Sequence, residues 1–239
     1  MELRQLTTER ERRIFSERME EARAKKGSRY RETRRSAIGR IHLEYGLLYG
    51  LFEHDNGLPE EMMSGLLMHD LASFPQSFPQ PDLSHLPPRS VLEGGELWSF
   101  AKGAGLLAQH GALILAGLMQ IRALLVYPTV KPADQTVVYA RSNFVKAGDP
   151  IVWPYCETTD GGKLWVQPMV LEGEALANVV EAVFGRGFTT NDSIRRIRFE
   201  NPFPIQPTLS RPAIPIEQHL GTVALAVPHG HEVNGNAQA

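Results

Sequence analysis

Three short stretches of the chain hold residue types able to do chemistry. The first is Lys102-Gly103-Ala104-Gly105, a glycine turn that opens a long apolar helix directly after a strand. Backbone N–H groups at a helix N-terminus bind phosphate, and glycine lets the phosphate come close to them. Lys102 would add a charge to that cradle. The second is the strand end Glu96-Leu97-Trp98-Ser99-Phe100, whose carboxylate is a candidate general base. The third is Tyr139-Ala140-Arg141-Ser142-Asn143-Phe144, which closes a second helix. Asn143 suits the left-handed backbone that ends helices.

Other chemistries lack their residues. The eight histidines are scattered, with no His-Glu-x-x-His or comparable metal spacing, so neither a metal nor a permanently bound cofactor is expected. The single cysteine, Cys156, excludes an intrachain disulfide and a multi-cysteine zinc site, and reads as a buried or incidental thiol rather than a nucleophile. No Gly-x-Ser-x-Gly nucleophile elbow is present. Gly103-Ala104-Gly105-Leu106-Leu107-Ala108 does satisfy the G-x-G-x-x-A dinucleotide fingerprint. That fingerprint wants an acid at the end of the next strand, which here reads Val126-Tyr127-Pro128, with none before Asp134. An NAD(P)-dependent oxidoreductase is therefore the lesser reading.

The elements that must position these residues follow from periodicity and punctuation. A first strand is expected over 1–6. Thr7 or Thr8 then N-caps a charged helix to about Lys26, whose narrow apolar stripe holds Ile14, Phe15, Met19 and Ala22. Gly27-Ser28 breaks it, and a second short helix is expected over Tyr30–Arg40. Strands are expected over 41–53 and 61–72, paired antiparallel about the turn His54-Asp55-Asn56-Gly57. Five prolines make 75–88 a long loop. Ser90–Phe100 is the next strand, and Gly94-Gly95 in its middle marks a bulge or a close backbone approach. The central helix spans 104–120, and Ala123–Tyr127 reads as a strand buried on both faces. A helix over 132–142, a strand over 145–155, a turn at Asp160-Gly161-Gly162 and a strand over 164–171 follow. A helix over 172–184 and a strand over 193–199 complete the order. Residues 201–239 read as a Pro-rich tail, partly disordered.

Composition is that of an ordinary globular protein, with 42% hydrophobic and 22% charged residues. No signal peptide or membrane span is visible, so a soluble, cytoplasmic protein is expected. Net charge is −2, yet residues 1–40 carry 13 Lys/Arg against seven Glu. That basic helical part is a candidate docking face for an acidic partner. Its arginines alternate with glutamates at helical spacing, without a nucleic-acid motif, so no nucleic-acid partner is expected.

The order of strands and motifs resembles the GNAT acyltransferase superfold. The pyrophosphate signature of that superfold is Arg/Gln-x-x-Gly-x-Gly/Ala at the start of the central helix, and Phe100-Ala101-Lys102-Gly103-Ala104-Gly105 matches its glycines. Tyr139 to Phe144 matches its Tyr-x-x-x-Gly-Phe pattern with Asn in place of Gly. Within the superfold, the Pro-rich loop before Glu96-Leu97-Trp98-Ser99-Phe100 resembles the acyl-homoserine-lactone and N-acyl amino acid synthases. Gly148-Asp149-Pro150-Ile151 and Gln167-Pro168-Met169 also look like that branch.

The resemblance implies an α/β (α+β) fold: a mixed, mostly antiparallel twisted sheet flanked by helices, with the glycine-turn helix at its centre. It covers residues 1–175, with 176–200 a helix-and-strand extension. It implies an N-acyltransferase moving a long-chain acyl group from acyl-carrier protein or acyl-CoA to an amine such as an amino acid. Glu96 would then be the base, Tyr139 would protonate the leaving thiolate, and Trp98, Ser99 and Phe100 would line the oxyanion. Lys102, Gly103, Ala104 and Gly105 would hold the donor phosphate, with the acidic carrier protein meeting the basic N-terminal part. A non-catalytic acyl- or CoA-binding protein on the same fold is the alternative.

Overall fold

The computed structural model describes residues 2–30, 46–52, 62–69, 81–87, 89–99, 104–185 and 196–198. The chain begins with β1 (Glu2–Gln5), α1 (Glu9–Lys25), β2 (Ser28–Tyr30), β3 (Leu47–Phe52), β4 (Met62–His69) and β5 (Val91–Ser99). The central helix α2 (Ala104–Leu118) leads to β6 (Ala123–Val126), β7 (Thr129–Lys131), α3 (Thr136–Ala140) and β8 (Val145–Lys146). The last elements are β9 (Ile151–Thr158), β10 (Lys163–Val166), β11 (Met169–Glu172), α4 (Gly173–Gly185) and β12 (Arg196–Arg198).

These strands make one eight-stranded sheet, in the order β12-β1-β3-β4-β5-β6-β11-β8, and one four-stranded sheet, β2-β9-β10-β7. In the large sheet only β1–β12 and β5–β6 are parallel. The mixed, mostly antiparallel sheet flanked by helices is thus present. The expected hairpin forms between β3 and β4, with Leu47 opposite Leu66.

Local chemistry explains α1. Thr8 is its N-cap, with Glu11 closing a capping box: the Glu11 amide donates to Thr8 Oγ1, and the Thr8 amide donates to Glu11 Oε2. Arg4 Nη1 lies 2.7 Å from Glu11 Oε1. Burial pushes the Glu11 carboxyl up, but the Thr8 hydrogen bonds, the Arg4 charge and the Thr7 amide outweigh it and hold it below its ordinary value. Phe15, Met19 and Ala22 form the buried stripe, packed with Leu48 and Phe52 of the large sheet and Trp153, Leu164 and Val166 of the small one. On the opposite face of the large sheet, Leu47, Tyr49, Leu92, Leu124 and Val126 pack against Leu113 and Ala116 of α2 and Leu176 of α4. Gly111 is where α2 comes closest: a Cβ there would sit 2.9 Å from Tyr49 Cε2.

Four expectations need correction. The single strand over 145–155 is two strands in different sheets, β8 and β9, because Gly148 turns at φ +109° and Pro150 has no N–H to give a ladder. The strand over 164–171 likewise divides at Gln167-Pro168 into β10 and β11. Buried Gln167 ties both breaks together, its Nε2 donating to Gly148 O at 2.7 Å and Pro168 O at 3.1 Å. The helix over 132–142 is only Thr136–Ala140: Asp134 accepts from the Thr136 amide at 2.8 Å and its hydroxyl at 2.6 Å, so the helix starts after that turn. The helix drawn from Tyr30 meets β2, which contains Tyr30; its remainder, with the 54–57 turn and the 201–239 tail, lies outside the described residues.

Candidate active site

The parallel pair β5–β6 holds register only from Val91↔Ala123 to Gly94↔Val126. Beyond Gly94, β5 continues beside β4 to Ser99, while the chain after Val126 leaves for β7 in the other sheet. The two strands therefore part, and a cleft opens between them. One wall is Glu93, Gly94, Gly95 and Leu97 of β5; the other is Tyr127-Pro128-Thr129; Trp153, Leu164 and Val166 of the small sheet close the bottom. The Tyr127 and Trp153 rings meet there with centroids 4.9 Å apart. The C-terminal end of α1 supplies a cationic rim, Arg23 and Lys26. The cleft has a volume of about 130 Å³.

A second, smaller space of about 30 Å³ lies on the other face of the large sheet, beneath α2. Its walls are Tyr49, Ala112, Leu113, Leu124, Val126 and Phe144, with Gln109 as a polar member. Gly94, Leu97 and Tyr139 border both spaces. Gly94, which carries no side chain, lies at the point where the strands part.

The bulge expected at Gly94-Gly95 is present slightly further on. Gly65 faces Gly95 and Met63 faces Trp98, so two residues of β5, Glu96 and Leu97, stand against one of β4. A regular strand would put Leu92 and Leu97, five apart, on opposite faces; both pack in the α2-side core. The bulge supplies the missing half-period, and bulges commonly re-aim side chains beside active sites. Glu96 sits in that bulge, and Trp98 and Ser99 follow it in the ladder with β4.

The Tyr139 motif is a helix closure. The Phe144 amide donates to Tyr139 O at 3.2 Å and the Asn143 amide to Ala140 O at 3.1 Å, with Asn143 at φ 65°. This is the Schellman pattern, and the apolar contact that accompanies it is Phe144 edge-on to Tyr139 at 5.6 Å. The spacing of Tyr139, Asn143 and Phe144 thus holds the Tyr139 ring at the junction of the two spaces. Burial there pushes its hydroxyl up to about 12, so it stays protonated through the neutral range. Ser142 Oγ donates to Gln109 Oε1 at 3.0 Å and fastens this closure to α2.

Of the other expected site residues, Ala104 begins α2 and Gly105 is its second residue. Phe100, Lys102 and Gly103 lie outside the described residues. Three contributors were not expected: Glu93, a second carboxylate of β5 lining the cleft; the Arg23–Lys26 rim; and Gln109. Glu93 had a signal, since it directly precedes Gly94-Gly95 in the strand already singled out. Gln109 had none, because only the fold brings it to Ser142. Among the described residues no cluster of three or more His, Cys, Asp or Glu is placed to hold a metal ion, and no helix is long and apolar enough to cross a membrane.

No protein-family model matches the chain, and no curated protein matches its sequence. Solved structures do match. FeeM, an N-acyl amino acid synthase from uncultured soil microbes, is similar with a TM-score of 0.53 over 71% of this chain and 90% of its own, at 12% identity. Spermidine N-acetyltransferase from Vibrio cholerae, in complex with CoA and spermine, is similar with a TM-score of 0.50 over 74% of this chain and 97% of its own, at 13% identity. At such identities the likeness is one of fold. The chain has the GNAT fold.

Proposed function

We propose that this protein is an N-acyltransferase that moves an acyl group from a thioester donor to an amine. The observation that carries the reading is the parting of β5 and β6 beyond Gly94, with Tyr139 at the place where the outer cleft and the inner space meet. A thioester threaded through that gap would have its carbonyl beside the bulged strand and its sulfur near Tyr139. The donor is acyl-carrier protein or acyl-CoA, taken as a substrate, its phosphate held at Lys102, Gly103, Ala104 and Gly105. The basic N-terminal part suits an acidic carrier protein, and the cationic rim of Arg23 and Lys26 suits an acceptor bearing a carboxylate, such as an amino acid.

The chemistry is direct transfer. The amine attacks the carbonyl carbon, a C–N bond forms, and its surplus proton passes to Glu96, directly or through one water. Backbone N–H groups near Trp98, Ser99 and Phe100 would stabilise the oxyanion. The C–S bond then breaks. Tyr139 donates a hydrogen bond, and finally a proton, to the departing thiolate. A phenol held at about 12 is a weaker acid than a thiol of ordinary pKa about 8.5, so the hydrogen bond comes first and solvent replaces the transferred proton.

The test is single-turnover acyl transfer by purified protein from acyl-CoA and acyl-carrier protein to a panel of amino acids. Glu96→Gln and Tyr139→Phe are each expected to slow the chemical step by about 10²-fold or more. If the double variant transfers acyl groups at the wild-type rate, the mechanism is wrong. Because Glu93 lines the cleft three residues earlier, Glu93→Gln belongs in the same series and decides which carboxylate is the base. The non-catalytic reading predicts donor binding without turnover for every acceptor.

A further inference from the structure

We infer that Cys156 is a positioning residue for the acceptor: from beneath the floor of the outer cleft, its sulfur aims the Arg23 guanidinium at the carboxylate of an amino acid. The inference rests on the acyltransferase reading and deepens it. Arg23 Nη1 donates to Cys156 Sγ at 3.2 Å. Cys156 is fully buried, in the cluster that holds Trp153, Leu164 and Val166, the residues that close the bottom of the cleft. Arg23 lines the cleft itself. The contact thus joins a side chain that faces the acceptor space to one packed behind the floor.

A distortion of β9 puts the sulfur there. Glu157 pairs with Lys163 and Val152 with Trp165, so the stretch between Val152 and Glu157 is matched on β10 by Leu164 alone. The surplus residues leave the regular ladder, and Pro154, which has no N–H to give, falls among them. In a regular strand the side chains of Trp153 and Cys156 would point to opposite faces. Here both pack in the same core as Met19 and Ala22 of α1.

A guanidinium carries its N–H donors in one rigid plane, so holding one of them sets the direction of the rest. The choice of partner matters. A carboxylate in place of the thiol would hold Arg23 and cancel the charge that an acceptor carboxylate has to meet. A thiol accepts the same N–H and leaves that charge in place. With an apolar residue instead, the long Arg23 side chain would be ordered only when the acceptor binds, and the ordering cost would come out of affinity. Cys156 acts through Arg23 and takes no part in bond making.

The experiment is steady-state acyl transfer by the full-length protein, from decanoyl-CoA and from decanoyl-carrier protein, to a panel of amino acids and to their carboxamides. A carboxamide keeps the amine and the side chain and removes the charge that Arg23 reads. The wild type is expected to show a lower KM for an amino acid than for its carboxamide. In Cys156→Ala that preference should fall about three- to tenfold, the worth of one hydrogen bond, with kcat unchanged. Cys156→Ser, whose hydroxyl accepts the same N–H, should keep most of it. The preference is a ratio within one preparation, so a loss of folded protein cancels from it. A preference unchanged in Cys156→Ala overturns the inference. So does an equal rise in KM for both acceptors, which a merely structural thiol would give. A wild type with no preference for the carboxylate also overturns it, with no variant needed, and leaves acyl transfer standing. No turnover with any acceptor overturns both readings together.

Discussion

The two spaces bordered by Tyr139 share only that residue, Gly94 and Leu97. The outer cleft is built from both sheets, the end of α1 and a cationic rim; the inner one is cut into the core between α2 and the large sheet. Outer-wall residues such as Arg23 and Glu93 are charged and retain contact with water, whereas inner-wall residues such as Tyr49 and Leu113 are buried at 0% and 3% exposure. The difference teaches that the same opening is soft on one side and structural on the other. Substitutions on the charged rim of the cleft alter what is bound, and substitutions of the buried inner wall alter whether the protein stands.

Truncating the two walls breaks or upholds that contrast. Leu113→Ala on the inner wall is expected to cost about 2–5 kcal/mol of stability in a urea titration, through lost burial and the cavity left behind. Lys26→Ala on the outer rim, where the side chain is exposed, should cost less than about 1 kcal/mol, while raising the KM for a carboxylate-bearing acceptor. Equal losses of stability would erase the distinction.

The residue shared by both walls can be examined through its closure. Asn143→Val forces a β-branched side chain into the left-handed region and should cost about 1–2 kcal/mol. It should also lower turnover by displacing Tyr139. Asn143→Gly should be neutral within a few tenths of a kcal/mol. Loss of turnover in both variants would point to a role for the Asn143 side chain beyond backbone geometry.

A finer test uses alkali. The folded-state pKa of Tyr139, about 12, lies above the ordinary value of 10, so the unfolded chain ionises first and stability falls as pH rises through that window. Tyr139→Phe should lose less stability than the wild type between pH 10 and 12, measured as the difference between their urea midpoints at the two ends. Identical slopes would mean that Tyr139 is not desolvated where the two spaces meet.

How much of this was legible in the sequence depended on how local each feature is. Thr8 with Glu11, and Tyr139 with Asn143 and Phe144, are interactions among neighbours, so their spacing announced the α1 start and the α3 closure. β6 was equally plain, four apolar residues buried on both faces. The second sheet was not legible. Val145–Tyr155 and Leu164–Leu171 each read as one strand; Gly148, Pro150 and Pro168 are local breakers, but nothing local says that the chain changes sheet at them. β2 and β7 are three residues each and exist only because β9 and β10 offer them edges. In the site, Glu96 and Tyr139 stood out because their motifs are compact. Gln109 lies 33 residues from Ser142 and is recognisable only once α2 and the α3 closure touch.

Gln167 sits away from every group assigned to the chemistry, yet it governs the gap. Its side chain joins Gly148 to Pro168, and its own amide N–H donates to Pro128 O at 2.9 Å, the middle residue of the outer cleft wall. One buried amide therefore couples the wall of the opening to the corner where both long strands change sheet. The aperture behaves as a calliper with a single set-screw: a change at Gln167 would reset the spacing of the jaws without touching either. Selectivity for bulkier or slimmer acceptors could then shift through a position that makes no contact with them.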